Sequence, residues 1–240
     1  MCGRFAASAS TEDIVATFAI DEVVDATEPT FNAAPTDPVA AVVERVDKAD
    51  DHVVRKLISP RWGLVPSWSK DARGGARMIN ARSETVASKP AFAKAFATRR
   101  CLIPADGFYE WETAAPASGR GKPAKLPWFV RPADGGPMVM AGIYEFWRDA
   151  ALGADAPWLT TCSIITTQAT DALGTLHDRM PMVVRPHHWD AWLDPKENNP
   201  DAALALLSVD AGADVEVYRV GTLVNSVRNN GPELVQPQSS

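Results

Sequence analysis

Short β-rich runs separated by turns recur along this sequence, and they constrain its fold more than any other feature. Residues 39–46 and 53–58 are rich in valine and flank a charged turn, which predicts a β-hairpin. Further strands are predicted at residues 101–104, 108–111, 128–131, 139–146, 158–166, 182–184 and 215–220. Many short strands with few helices between them predict an α+β fold.

The helical runs are short and scattered. Ser10 precedes a run over residues 14–20, and a second helix is predicted to begin near Ser88, where Phe92 and Phe96 share one face. Other helices are predicted at residues 171–176, 187–193 and 202–207, with a Gly/Pro/Lys-rich loop at 114–125. We therefore predict a single domain over residues 1–234, with a curved, barrel-like, mainly antiparallel β-sheet flanked by short helices. A polar tail follows at residues 235–240.

Composition limits the setting in which the chain works. Its 240 residues are 46% hydrophobic and 22% charged, as in a soluble protein with a core. No apolar run approaches the roughly 18 residues of a membrane helix, and no secretory signal is evident, so a cytoplasmic protein is expected. No amphipathic helix long enough for a coiled coil is predicted, so a monomer is expected. The three cysteines have no disulfide or zinc spacing, and Cys101 and Cys162 are expected in the core.

The net charge of −6 argues against a polyanionic partner, yet its distribution is uneven. Residues 52–100 contain eleven Lys or Arg and two acids, a surplus of nine positive charges that leaves −15 elsewhere. The basic residues are Arg55, Lys56, Arg61, Lys70, Arg73, Arg77, Arg82, Lys89, Lys94, Arg99 and Arg100. If they share one face, an anionic partner fits; if they scatter, the surplus carries no function.

Cys2 directly follows Met1, and removal of Met1 would leave a free α-amine beside its thiol. These groups ordinarily titrate at about 7.7–8.0 and about 8.5, so both are partly reactive near neutrality. The thiolate could attack an acyl or amide carbon with the amine as its base. Alternatively, the amine could condense with an aldehyde and the thiol close a five-membered thiazolidine. A third reading is that Cys2 is simply a small residue tolerated after Met1.

Two further titratable residues are candidates for acid/base chemistry. Glu110 lies in an aromatic strand and shares a face with Phe108, where it is either an exposed residue or a functional carboxylate. His177 stands between a predicted helix and the sequence Asp-Arg-Met-Pro, a plausible setting for a general acid or base. The other histidines, His52, His187 and His188, suggest no function, and neither a metal site nor a cofactor is predicted.

Residues within the basic stretch suit nucleic acid. Asn80 could bond a sugar or the Cys2 amine, and Arg82 a phosphate, although both types are common at surface turns. Trp62 and Trp68 lie among basic residues, where they could stack on unpaired bases or belong to the core.

Five segments, taken together in order and spacing, resemble the SOS-response-associated peptidase (SRAP) family of abasic-site processing proteins. They are residues 1–5 (MCGRF), 31–36 (FNAAPT), 80–85 (NARSET), 104–111 (PADGFYEW) and 177–181 (HDRMP). The run Trp62 to Trp68 and the C-terminal residues 229–234 are also similar. The resemblance extends over nearly the whole chain, although the loop at 70–77 looks longer and more glycine-rich than the family pattern.

The resemblance implies a protein that crosslinks itself to abasic sites in single-stranded DNA during the DNA damage response and lies on the nucleoid when bound. Cys2 would form the thiazolidine after autocatalytic or other peptidase removal of Met1, and Asn80 would hold the sugar and the cysteine. Glu110 would orient or deprotonate the amine, and His177 would open the sugar ring. The DNA contacts implied are Arg4, Asn32, Trp68, Arg77, Arg82, Trp111 and Arg179.

Replication or repair proteins are possible further partners, and the crosslinking chemistry is lyase-like. Two alternatives from the residues stay open. One is an amidohydrolase of the glutamine amidotransferase type, which also begins Met-Cys-Gly and uses its N-terminal cysteine as nucleophile. The other is non-covalent binding of single-stranded DNA with Cys2 inert.

Overall fold

Two β-sheets and a layer of short helices form the fold. The computed structural model describes residues 2–114, 123–153, 155–169, 171–174, 176–207 and 215–238. The strands are β1 (Phe5–Ala7), β2 (Glu22–Val23), β3 (Thr30–Ala33), β4 (Ala41–Val46), β5 (Val53–Ile58), β6 (Arg61–Trp62), β7 (Asn80–Arg82), β8 (Arg100–Ala105), β9 (Gly107–Ala114), β10 (Ala124–Pro132), β11 (Met138–Trp147), β12 (Leu159–Gln168), β13 (Arg179–Pro181) and β14 (Val215–Arg219).

The helices are α1 (Thr11–Phe18), α2 (Ser83–Val86), α3 (Ala93–Thr98), α4 (Asp171–Gly174), α5 (Trp189–Leu193) and α6 (Pro200–Leu206). Short 3-10 turns occur at Arg73–Arg77, Ala150–Leu152, Pro186–His188, Thr222–Asn225 and Pro232–Val235. Within the described ranges, no helix is long and apolar enough to cross a membrane.

The smaller sheet has the strand order β14-β10-β9-β1-β3 and the larger one β13-β12-β11-β8-β4-β5-β2. Most pairs are antiparallel, but β6 and β7 lie parallel to β12, and β2 lies parallel to β5. The chain passes from the larger sheet to the smaller one between β8 and β9, so the two sheets are joined at Asp106. The mixed α+β class is confirmed, but the described strands form two sheets and no closed barrel.

Three apolar clusters fill the fold. One lies under the helices and includes Phe96 and Trp192. The second contains residues of both sheets, among them Cys2 and Phe108. The third packs the outer side of the smaller sheet against the C-terminal turns, where Leu234 is buried. Packing continues beyond that residue, because Tyr218 Oη donates to the Val235 carbonyl and Pro237 bridges to Val220.

Helix α1 shows how the local sequence sets the structure. Ser10 accepts a hydrogen bond from the Asp13 backbone, and the Asp13 carboxylate accepts one from the Ser10 backbone, which completes a capping box. Ile14 and Phe18 then point to the core with four-residue spacing. The helix ends at Ala19 in the left-handed conformation.

Several predicted boundaries are wrong. The helix expected from Ser88 begins at Ala93, because the residues before it form turns in which Lys89 donates to Thr85 O and Phe92 donates to Lys89 O. The strand expected at 182–184 is instead Arg179–Pro181, followed by a single bridge between Val183 and Met140. Strands β9 and β10 extend into the predicted loop at 114–125, of which residues 115–122 lie outside the described part of the chain.

Candidate functional site

Cys2 lies in the apolar cluster between the two sheets and is fully buried. Its Sγ is 3.9 Å from the Arg4 carbonyl, just before strand β1. Burial raises the pKa of the Cys2 thiol far above its ordinary value, and the negative charge of Glu110 raises it further. The thiol is therefore protonated at neutral pH in this environment and needs a neighbouring group to take its proton.

Asn80 fixes the backbone of Cys2. Its Nδ2 donates to the Cys2 carbonyl at 2.7 Å, across 78 positions of sequence. Strand β7 holds Asn80 against the centre of β12, where it pairs with Ile164 in parallel register. The side-chain Oδ1 of Asn80 is buried and accepts no hydrogen bond from the described residues. An acceptor in this position is suited to a donor on a bound molecule or on the processed chain end.

Glu110 projects from strand β9 toward the same cluster. It is 5% exposed, so the exposed alternative left open by the sequence is wrong. Phe108, two residues earlier, belongs to the cluster that contains Cys2, whereas Tyr109 belongs to the outer one, which confirms the predicted alternation. Burial raises the pKa of the Glu110 carboxyl, and the charge of His177 opposes that shift. A carboxyl tuned upward in this way suits proton transfer near neutral pH.

His177 lies beside the site and is partly exposed, with about a third of its side chain accessible (32%). The Arg179 backbone N–H donates to His177 Nδ1 at 2.9 Å, so the neutral ring carries its proton on Nε2. Asp178 Oδ1 also lies 2.9 Å from Nδ1 and would accept a hydrogen bond from that nitrogen when the ring is doubly protonated. Both protonation states therefore have a partner at Nδ1.

The residue behind His177, Arg179, is held in place by an ion pair. Its two terminal nitrogens donate to the two carboxylate oxygens of Glu84 at 2.6 and 2.9 Å. One of them also donates to the Thr166 carbonyl at 2.6 Å. Arg179 is 8% exposed, so it is a buried, engaged residue rather than an open phosphate-binding one. Sequence reasoning missed Glu84 because 95 positions separate it from Arg179.

Two other predicted DNA contacts are also internal. Arg4 is 7% exposed and donates to the Val224 carbonyl at 2.5 Å, with its guanidinium 5.6 Å from the centre of the Trp111 ring. Asn32 is buried and donates to the carbonyls of Ser226 and Asn229. These two residues attach the C-terminal turns to the smaller sheet.

Trp111 is half-buried beside Arg4, and its Nε1 donates to Asn225 Oδ1 at 2.6 Å. Part of the Trp111 side chain therefore remains accessible to solvent. Trp62, in contrast, is fully buried and donates to the Ile79 carbonyl, so it belongs to the core.

The remaining predicted contacts are open to solvent. Trp68 is 66% exposed, and Arg77 and Arg82 are exposed as well. A cleft of about 540 Å³ begins at Asn80 and continues past Arg82 and Lys89. The sequence did not single out Lys89, because a surface lysine before a proline has no distinguishing pattern. The cleft thus joins two exposed cations to the residue that holds Cys2.

The basic stretch divides into two groups. Six of its cations are used in internal contacts: Arg55, Lys56, Arg61, Arg73, Arg99 and Arg100. The other five are exposed and form no ion pair with the residues that the structure describes: Lys70, Arg77, Arg82, Lys89 and Lys94. Within the described ranges, about half of these cations are thus both exposed and outside any ion pair.

One cluster with possible metal ligands appears among the described residues. Asp47, Asp50 and His52 come together in the turn between β4 and β5. The turn is on the surface, His52 is paired with Asp50, and the group has no link to Cys2. It does not alter the chemistry of the site. Cys101 and Cys162 are free and buried, as expected for core residues.

Comparison with known proteins places the whole arrangement in a family. The profile of the SOS response associated peptidase (SRAP) family matches residues 1–227. The abasic site processing protein YoqW of Bacillus subtilis is 37% identical over 238 residues, covering 98% of this chain and 99% of that protein. The abasic site processing protein HMCES of Gallus gallus is 31% identical, covering 87% of this chain and 66% of that protein.

Solved structures share the fold. A protein from Bacteroides thetaiotaomicron superposes with a TM-score of 0.80 at 22% identity, covering 99% of this chain and all of that one. A phage-related protein from Bordetella bronchiseptica gives a TM-score of 0.65 at 29% identity, covering 91% of this chain and 94% of that one.

Proposed function

Since this chain belongs to the SOS response associated peptidase (SRAP) family, we propose that it processes abasic sites in DNA by bonding covalently to them through Cys2. The observation that carries this proposal is the convergence on Cys2 of a hydrogen bond from Asn80 and the charge of a buried Glu110. An abasic site in its open form presents an aldehyde, and an N-terminal cysteine is a specific trap for aldehydes.

The first step is hydrolysis of the peptide bond between Met1 and Cys2. Water adds to the Met1 carbonyl carbon, the C–N bond breaks, and the products are free methionine and a chain that begins with the Cys2 α-amine. Asn80 holds the Cys2 carbonyl during this change. In this proposal Glu110 takes a proton from the attacking water and returns it to the departing nitrogen.

The second step opens the abasic sugar. In the closed sugar, C1′ carries a hydroxyl and is bonded to the ring oxygen. The bond between C1′ and the ring oxygen breaks, the ring oxygen takes the Nε2 proton of the doubly protonated His177 ring, and the hydroxyl proton leaves to water as the aldehyde forms. Asp178 Oδ1, 2.9 Å from Nδ1, accepts a hydrogen bond from the proton that remains on the ring.

The third step joins the two molecules. The Cys2 amine attacks the aldehyde carbon, and the resulting carbinolamine loses one water to give an imine, with Glu110 relaying protons from nitrogen to the departing hydroxyl. The thiol then adds across the C=N bond: a C–S bond forms and the thiol proton passes to nitrogen. A thiol kept protonated by burial favours this order, with amine attack first.

The DNA strand would reach the site along the exposed residues. Arg82 and Lys89 line the cleft that begins at Asn80 and suit backbone phosphates. Trp68 is exposed, which supports a role in stacking on an unpaired base. The buried residues Arg4, Asn32 and Arg179 would support the site through their internal hydrogen bonds and would not contact DNA directly. Work on DNA implies association with the nucleoid when bound.

A gel assay with abasic and intact oligonucleotides tests the proposal. The chain should form a denaturation-resistant adduct with the abasic strand only, and Cys2→Ala or a residue inserted before Cys2 should abolish it. An undiminished adduct in either variant overturns the covalent role of Cys2. Equal, purely non-covalent binding of both strands supports inert Cys2, and release of ammonia from glutamine supports the amidohydrolase instead.

A further inference from the structure

A second groove of about 500 Å³ has no part in the chemistry described above. It lies where β11 and β12 meet the end of α3, and its walls combine aromatic and basic side chains. Phe146 and Trp158 supply the rings, and Lys94 and Arg99 supply the positive charges. Glu145 is the acidic residue in the lining, and Arg99 already pairs with it at 3.3 Å.

The aromatic side chains of this groove are open to a ligand on one side and backed by cations. Trp158 is 62% exposed, although burial would stabilise a ring of this size, and the Arg148 guanidinium lies 4.8 Å from its centre. The guanidiniums of Arg45 and Arg99 lie 4.6 and 5.9 Å from the Phe146 ring. Aromatic rings beside cations suit unpaired nucleotides, because the bases stack on the rings and the phosphates pair with the cations.

The groove and the site of Cys2 share strand β12. Thr160 in the groove and Ile164 are an even number of positions apart on β12, so their side chains point to the same face. Ile164 belongs to the apolar cluster that contains Cys2, and Phe146 packs against that cluster. Four residues of strand span about 13 Å, and Ile164 pairs with Asn80, so the groove and the cleft that begins at Asn80 are separated by the length of a few nucleotides.

An anchored turn connects the groove with Trp68. Ser67 lines the groove, and Trp68 follows it in the chain. The Val65 N–H donates to Thr161 Oγ1 at 2.9 Å, and Trp147 Nε1 donates to the Ser69 carbonyl at 2.8 Å. Both ends of the turn are thus fixed to strands β11 and β12, and the exposed Trp68 is the neighbour in the chain of a residue that lines the groove.

From these observations we propose that the groove is a subsite for unpaired nucleotides that flank the abasic site on one side. A base stacks on Trp158, and Lys94 contacts the neighbouring phosphate. This subsite rests on the proposed function for placing the strand at Cys2, but it has its own contacts. It would give the protein a preference for a lesion within a longer single strand over one near a strand end.

The test measures binding of intact single strands of increasing length, by fluorescence anisotropy, to the full chain. Trp158→Ala should weaken binding of long strands by about fivefold or more, the effect of losing one stacked base, and leave the shortest strands unchanged. Leu152→Ala is the matched control, because Leu152 is 70% exposed in the same hairpin. Wild-type affinity of Trp158→Ala at every length, or an equal loss at every length, overturns the proposal.

A second variant tests the charge. Lys94→Gln should reduce the slope of log affinity against log salt concentration by about 0.7 for long strands, as expected when one phosphate contact is lost. Lys48→Gln, in the exposed turn between β4 and β5, should leave the slope unchanged. An unchanged slope in Lys94→Gln contradicts the phosphate contact.

These readouts need no covalent adduct, so the two proposals fail separately. Length-dependent binding that is lost in Trp158→Ala, with no adduct on abasic strands in the wild type, supports the subsite and overturns the covalent function. An adduct that forms on abasic strands, together with wild-type affinity of Trp158→Ala for intact strands of every length, overturns the subsite alone. Binding that strengthens only when the flank is duplex contradicts an unpaired occupant.

Discussion

The ion pair between Glu84 and Arg179 gives a prediction whose size follows from its geometry. The guanidinium makes two hydrogen bonds to the carboxylate, at 2.6 and 2.9 Å, with the Arg179 side chain 9% exposed and the Glu84 side chain 49% exposed. Buried hydrogen bonds to charged groups contribute about 1.5–3 kcal/mol, whereas exposed ion pairs contribute less than about 1 kcal/mol. Since Glu84 is half exposed, Glu84→Gln should lower the free energy of unfolding by about 1–2 kcal/mol at pH 7.

The pH dependence of this effect has a definite sign. Hydrogen bonding from Arg179 holds the pKa of Glu84 below its ordinary value. A carboxyl whose pKa is lower in the folded state stabilises the fold above its unfolded pKa of about 4.3, and this contribution is lost as the pH falls through the folded value. The difference in unfolding free energy between wild type and Glu84→Gln should therefore shrink below about pH 4.3.

Urea denaturation of both proteins between acidic and neutral pH measures the difference. Glu216→Gln is the matched control, because Glu216 pairs with Arg131 while both side chains are 44–47% exposed. That substitution should change the unfolding free energy by less than about 0.5 kcal/mol. Equal stability of Glu84→Gln and Glu216→Gln, or a deficit that persists unchanged at low pH, would refute the role given to this pair.

The other predictions concern the site and its support. Glu110→Gln should slow adduct formation by about 10²–10⁴-fold in a time-course gel. Burial raises the pKa of Glu110, so its ionised form destabilises the fold above the unfolded pKa of about 4.3. Glu110→Gln should therefore unfold at a higher urea concentration than the wild type at pH 7, but not at pH 3.5. Circular dichroism measures both transitions. Gly75→Ala should lower the free energy of unfolding by about 1–3 kcal/mol in the same assay, because a Cβ there would lie 2.6 Å from the Gly63 carbonyl oxygen. Arg82→Gln should reduce the slope of log affinity against log salt concentration for single-stranded DNA by about 0.7. The adduct should still form at low salt.

The parts of the fold visible in the sequence are those with a strong local pattern. The hairpin of β4 and β5 is predicted almost to the residue, because two valine-rich runs flank a turn rich in aspartate. Strands β1 and β7 are not, since each has three residues and forms only by pairing with a distant strand. Such strands have no periodicity of their own to detect.

The residues proposed for the chemistry are predicted from sequence motifs, but the contacts between them are not. That Asn80 donates to the Cys2 carbonyl could not be read from a separation of 78 positions. For the basic residues 52–100, the sequence instead suggests more available cations than the structure has. Arg100, for example, is buried and donates to five backbone carbonyls at helix ends, so its charge is used for folding. The sequence gives the number of cations, but only the structure shows which of them are free to bind a ligand.

The central claim is that the Cys2 amine and thiol together capture an abasic site. Intact mass and peptide mapping of the chain after incubation with an abasic single strand test it most directly. The account predicts an adduct that lacks Met1, weighs one water less than the Met1-free chain plus the DNA, and maps to Cys2. An adduct that retains Met1, maps to a lysine, or forms equally in Cys2→Ala would contradict the account.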